Sequence, residues 1–225
     1  MVKKSLGCAR YKVSGHKLRG RATTGGAARP RVAPRWDGGV RLAKTKEIAV
    51  LGLGNVLMGD DGFGPHVIAT LRAGYEFTAS VAVEDLGTPG LDLHPHLVGR
   101  RAVILVDTVR AEGKPGTLHT YSRDELLSHA PQPRTSPHDP GVKEALLALE
   151  FAGGGPSEVL LIGAIPATVE QGTTLSAPLS AAVPTAVNAV VERLMDLGCP
   201  ARRRDTPRPP DTWWTEDSPD REAEP

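Results

Sequence analysis

Cysteine is almost absent: the 225 residues include two, Cys8 and Cys199, at opposite ends of the chain. They supply neither a disulfide framework nor a CxxC metal or redox pair, which argues against a disulfide-stapled fold and a cysteine mechanism. No stretch approaches the roughly 18 consecutive apolar residues needed to span a bilayer, and the N-terminus lacks the apolar run of a secretory signal. A soluble, cytoplasmic protein without a membrane partner is expected. There is no GxSxG elbow, no HExxH pair and no Walker A loop, so those routes to hydrolysis or nucleotide binding are closed. Excess charge is missing too: 27 basic against 26 acidic residues leave the total silent about nucleic acid.

The distribution of that charge is informative. Residues 1–46 carry 13 Lys and Arg and the single acid Asp37, whereas 47–199 carry 9 basic and 18 acidic residues. The leader is rich in Arg, Lys, Gly, Ala and Pro without an apolar period, so it is expected to be disordered, either a basic arm or an upstream extension of the reading frame. Residues 200–225, with their Pro, Arg and acidic residues, are expected to be an unstructured tail in which Trp213 and Trp214 are the adhesive feature. Between them lies one acidic domain, 47–199, of a size suited to a single core.

Within the domain, strand and helix patterns alternate. Glu47–Gly52, Ser80–Leu86, Ala102–Asp107, Gly116–Tyr121 and Glu158–Ile165 read as strands. Pro65–Ala73, Leu91–Val98, Arg123–His129, Gly141–Leu149 and Pro178–Leu197 read as helices; on the last, Val183, Val187, Val190, Val191 and Leu194 share a face. The run AVILVD at 102–107 is apolar until its final residue, as a central parallel strand covered on both faces would be. This alternation predicts an α/β fold: one doubly wound, three-layer domain with a mostly parallel, twisted sheet of about five strands.

Open α/β sheets bind ligands at the carboxyl ends of their strands. That rule selects Asp60 and Asp61 in GLGNVLMGDDGFG (52–64), Asp107 at the end of its strand, and His138 in PRTSPHDPG. Two carboxylates and an imidazole suit a borderline metal such as nickel, zinc, iron or copper, with open positions left over. Each residue also has a plainer role available: Asp60 or Asp61 as a helix cap, Asp107 as a strand-end turn residue, His138 as a surface histidine. GLG after the first strand begins a dinucleotide fingerprint, but bulky Val56, Leu57 and Met58 follow and the third glycine is missing. His94 and His96, spaced HxH, are a second metal candidate, more in keeping with a surface position.

GLGNVLMGDDGFG resembles the N-terminal signature of the hydrogenase maturation endopeptidases. The resemblance continues through DLGTPGLDL (85–93), ILVDTV (104–109), PGTLH (115–119), SPH (136–138) and LIGAIP (161–166), covering 48–197 in matching order. It implies that Asp61, Asp107 and His138 are the nickel-binding and catalytic residues. It further implies an endopeptidase that removes a C-terminal extension from a nickel-loaded nickel-iron hydrogenase large-subunit precursor, the nickel being carried by the substrate. Asp61 stands where many members have glutamate, which sets the carboxylate about 1.5 Å further back. Asp60 and Asp85 are second-rank candidates for support or general-base work. A monomer without a nucleic-acid partner is expected. A nickel-sensing chaperone that does not cut is the alternative from another class, and a nucleotide-binding regulatory domain the third.

Overall fold

The computed structural model describes residues 47–128 and 142–215. The leader expected to be disordered, the segment 129–141 with His138, and residues 216–225 lie outside the described residues.

The chain runs β1 (Ile48–Gly52), α1 (Phe63–Gly74), β2 (Tyr75–Glu76), β3 (Val81–Asp85), α2 (His94–Leu97), β4 (Ala102–Thr108), β5 (Leu118–Ser122), α3 (Arg123–Ser128), α4 (Val142–Ala152), β6 (Glu158–Ala164), α5 (Ala177–Asp196) and β7 (Arg202–Arg203). Five strands form one sheet in the order β3-β1-β4-β6-β5. Four of them run parallel, and β5 pairs antiparallel with β6 at the edge. The predicted α/β sheet is therefore present, and β4 occupies its centre with the first six of its seven residues buried.

Alternation along the strands builds the two outer layers. Ile48, Val50, Ile104, Val106 and Ile162 face α1 and α5, packing on Phe63, Val67, Ile68, Val187 and Val190. Ala49, Leu51, Val103, Leu105 and Leu161 face the other way, against Leu97 of α2, Leu126 of α3, and Leu146 and Leu149 of α4. Burying each such side chain stabilises the fold by about 1.5–3 kcal/mol before the entropy of ordering is counted. Pro95 does not prevent α2, because it stands in the first turn, where its missing N–H has no partner to lose.

The expectation that 200–225 is unstructured is corrected for residues 200–215, which lie along α1 as a strap. Arg202 and Arg203 pair with Glu76 and Tyr75 in a two-stranded antiparallel ribbon. Arg202 also bonds the Glu76 carboxylate through its side chain, and Arg204 does so at 3.1 Å. The N–H groups of Arg204 and Arg208 donate to the carbonyls of Gly74 and Ala73 at 2.8 and 3.1 Å. Trp214 is buried to 5% exposure. Composition suggested a solvated tail, but its arginines find an acceptor in Glu76 and its indole finds an apolar seat, so ordering is offset by contacts remote in sequence.

Candidate functional site

The chain visits β3 on one side of β1 and then crosses to β4 on the other. The carboxyl ends of β1 and β4 thus form the topological switch point, where α/β sheets open a crevice for ligands. The turn after β1 is pinned there: Leu53 N–H donates to Val106 O at 2.9 Å, and Gly54 N–H to Gly87 O at 2.8 Å.

Glycine is required where α1 meets this edge. A Cβ on Gly54, whose φ is +140°, would stand 1.8 Å from the Asp61 carbonyl oxygen, and one on Gly64 would stand 2.2 Å from Leu53 O and 2.5 Å from Val106 O. Close backbone packing therefore accounts for these glycines, and the dinucleotide reading loses its support.

Asp60 and Asp61 share a turn of 3-10 helix, Gly59–Gly62, ahead of α1, yet they do different work. Asp60 is fully buried. Its Oδ2 accepts from Ala167 N–H at 2.7 Å, Thr168 N–H at 3.1 Å and Ser176 Oγ at 2.9 Å, while Oδ1 accepts from Ser176 N–H at 2.7 Å. With four donors in place it ties the turn to the loop between β6 and α5. The N-cap position of α1 is held by Gly62 and by neither aspartate.

Asp61 is half-buried and points toward the switch point. Its Oδ2 accepts from Asn55 N–H at 2.9 Å, and its Oδ1 accepts from the Thr108 hydroxyl at 3.2 Å. Asp107, 7% exposed at the end of β4, accepts from Thr108 N–H at 2.6 Å through Oδ1. Thr108 thus links the two carboxylates that the sequence singles out. A carboxylate oxygen has two lone pairs and is of the type that ligates a cation or accepts a substrate N–H. His138, the third candidate, lies outside the described residues.

Other candidates are placed differently. Asp85 is exposed at the end of β3, and its Oδ1 accepts from Gly87 N–H at 3.0 Å, shaping the turn that receives Gly54. His96 Nδ1 meets Glu84 Oε2 at 3.1 Å, and His94 is exposed. Among the described residues no group of three or more His, Cys, Asp or Glu side chains could hold a metal ion.

Two features went unread in the sequence. Thr108 drew no attention because a threonine ending a strand is ordinary; its role depends on the turn after β1. His119 lies in one cross-strand row with Gly163 and Asp107, and its buried Nε2 has no hydrogen-bond partner among the described residues. The PGTLH block around His119 was the available signal.

The rim of the site is apolar. Leu57 is 55% exposed, and Met58 and Val169 are each 37% exposed, on two segments joined by Gly59 N–H to Gly172 O at 2.8 Å and Gly172 N–H to Leu57 O at 3.0 Å. These exposed apolar side chains stand on the two segments that adjoin the Asp60–Asp61 turn.

The family model described as hydrogenase maturation protease matches residues 65–193. The hydrogenase expression/formation protein HoxM of Azotobacter vinelandii is 35% identical over 159 residues, 70% of this chain and 77% of that protein. The hydrogenase 2 maturation protease of Escherichia coli is 31% identical over 159 residues, 70% of this chain and 96% of that one. The solved structure of the E. coli hydrogenase maturating endopeptidase HybD superposes with a TM-score of 0.66 at 30% identity, over 70% of this chain and 98% of that one.

Proposed function

The chain belongs to the hydrogenase maturation protease family, and from that premise we propose that it is a cytoplasmic endopeptidase acting on a nickel-iron hydrogenase large-subunit precursor. In this reading it removes the precursor's C-terminal extension once nickel is in place. The nickel belongs to the substrate.

The observation that carries the proposal is the pair of carboxylates, Asp61 and Asp107, oriented by the one residue Thr108 at the switch point. Carboxylates are donors suited to a divalent ion, and His138 is the proposed third donor. Their part is positional: by completing the coordination of a metal already held by the precursor, they fix the neighbouring peptide bond and lower the entropy cost of reaching the barrier. A divalent ion there supplies polarisation of a carbonyl or of bound water. The apolar rim of Leu57, Met58 and Val169 supports a polypeptide substrate over a small molecule.

The test is a precursor prepared with and without nickel, incubated with the same protein and weighed by mass spectrometry. Shortening of the nickel-loaded form alone is expected. Equal shortening of both would overturn the metal-recognition step. Binding without shortening would favour the non-cutting chaperone.

A further inference from the structure

The strap, residues 200–215, is held at its far end by a contact that reaches toward the site. Trp214 donates its indole N–H to His66 Nε2 at 3.2 Å, with the rings edge-on and their centroids 5.2 Å apart. His66 lies on α1, which begins directly after the turn carrying Asp60 and Asp61. The Thr173 backbone lies close enough to the same imidazole to raise its pKa. Thr173 belongs to the loop between β6 and α5, whose Ala167, Thr168 and Ser176 N–H groups converge on Asp60. A single ring therefore joins the strap to the loop that anchors the Asp60–Asp61 turn. The family match ends at residue 193, before the strap begins, so it does not account for this connection.

We propose that the strap is a positioning element for the Asp61 site: seated through the Trp214–His66 hydrogen bond, it steadies the loop 165–176 and, through Asp60, the turn that presents Asp61. The part of this proposal that concerns processing rests on the function proposed above. The coupling of strap to loop does not.

The bond has a protonation requirement. An indole N–H only donates, so His66 Nε2 must keep its lone pair and the ring must be neutral. Burial pushes the His66 pKa below its ordinary value, and the nearby Thr173 backbone partly opposes this. A lowered histidine pKa means that the folded state favours the neutral ring. The contribution is present above the ordinary histidine range and is lost as the pH falls through the lowered value. The charged groups on the surrounding elements are Asp61 before α1, Arg72 on α1, Asp85 ending β3, Glu170 on the loop, and Arg208 and Asp211 on the strap. None of them is among the causes of the His66 shift.

Three variants of the full chain test the coupling. Trp214→Phe keeps an aromatic ring without the N–H, His66→Leu removes the acceptor, and His66→Gln keeps an acceptor oxygen. Strap release is read by tryptic cleavage after Arg202, Arg203 and Arg204, and loop order by hydrogen exchange at the Ala167, Thr168 and Ser176 amides. Trp214→Phe and His66→Leu should each speed both by about fivefold, the effect of one hydrogen bond. They should lower kcat for processing by a similar factor with KM little changed, while His66→Gln stays near the parent. Tryptophan emission of the parent should change with a midpoint below the ordinary histidine range, and that transition should be missing in His66→Gln. Faster strap cleavage with unchanged exchange at the three amides would overturn the proposal, leaving the strap a passive cover. Unchanged cleavage in both bond-breaking variants would overturn it as well. A parent that responds in exchange but shortens no precursor supports the coupling and refutes the peptidase reading alone.

Discussion

The Thr108 hydroxyl donates to Asp61 Oδ1 at 3.2 Å, joining the end of β4 to the turn that follows β1. Its N–H meanwhile donates to Asp107 at 2.6 Å. Only the hydroxyl is removable by substitution, so the residue allows the two functions to be separated. Thr108→Val keeps shape and β-branching while freeing Asp61 from one donor. A net hydrogen bond contributes about 1 kcal/mol, so processing should fall roughly fivefold with little change in melting temperature. A loss of many degrees would show that the hydroxyl serves the fold more than the site.

Asp60 makes the opposite case. Its carboxylate gathers three backbone N–H groups and a serine hydroxyl in a fully buried position. Asp60→Ala would strand those donors without access to water, at a cost of about 3 kcal/mol or more. For a domain of this size that corresponds to a melting temperature lower by about 6–12 °C. Calorimetry checks it. An unchanged melting temperature would mean that the loop between β6 and α5 is held by other contacts.

The difference between these neighbours marks the limit of what the sequence discloses. AVILVD announces a buried central strand because each of its residues except the last is apolar, and Asp107 stands out as the polar residue that ends it. DD at 60–61 announces only two carboxylates at a sheet edge. Which of them is buried depends on Ala167, Thr168 and Ser176, more than a hundred residues away. Local pattern carries no record of such a partner. The strap was misread for the same reason: Arg202 and Arg204 look solvated until Glu76 is placed beside them, and Trp214 looks idle until His66 is.

The apolar rim is testable without touching the carboxylates. Leu57 is more than half exposed, so its side chain contributes little to the core. Leu57→Asp should leave the melting temperature nearly unchanged, as surface substitutions do. If the rim receives the precursor, the same change should raise KM by about tenfold through loss of apolar contact and desolvation of the new carboxylate. An unchanged KM would show that the precursor docks elsewhere.

Asp61 itself provides the test of the proposed donor role. Asp61→Ala removes a carboxylate that accepts from Asn55 and Thr108, and with it one donor to the substrate's nickel. Processing should fall below detection, whereas the fold should survive because the residue is only half-buried and sits in a turn otherwise fixed by backbone bonds and Asp60. Asp61→Glu lengthens the side chain by about 1.5 Å, keeping the charge and both oxygens while shifting them toward the cleft. It should therefore process at a reduced but measurable rate, and the residual rate should still require nickel on the precursor. Asp61→Asn distinguishes charge from shape: it keeps one carbonyl acceptor in place of the two carboxylate oxygens and loses the negative charge that a divalent ion prefers. Glutamate active, asparagine and alanine inactive is the order expected of a metal donor. Alanine processing nickel-loaded precursor at the parental rate would reduce Asp61 to a residue that merely shapes the turn before α1.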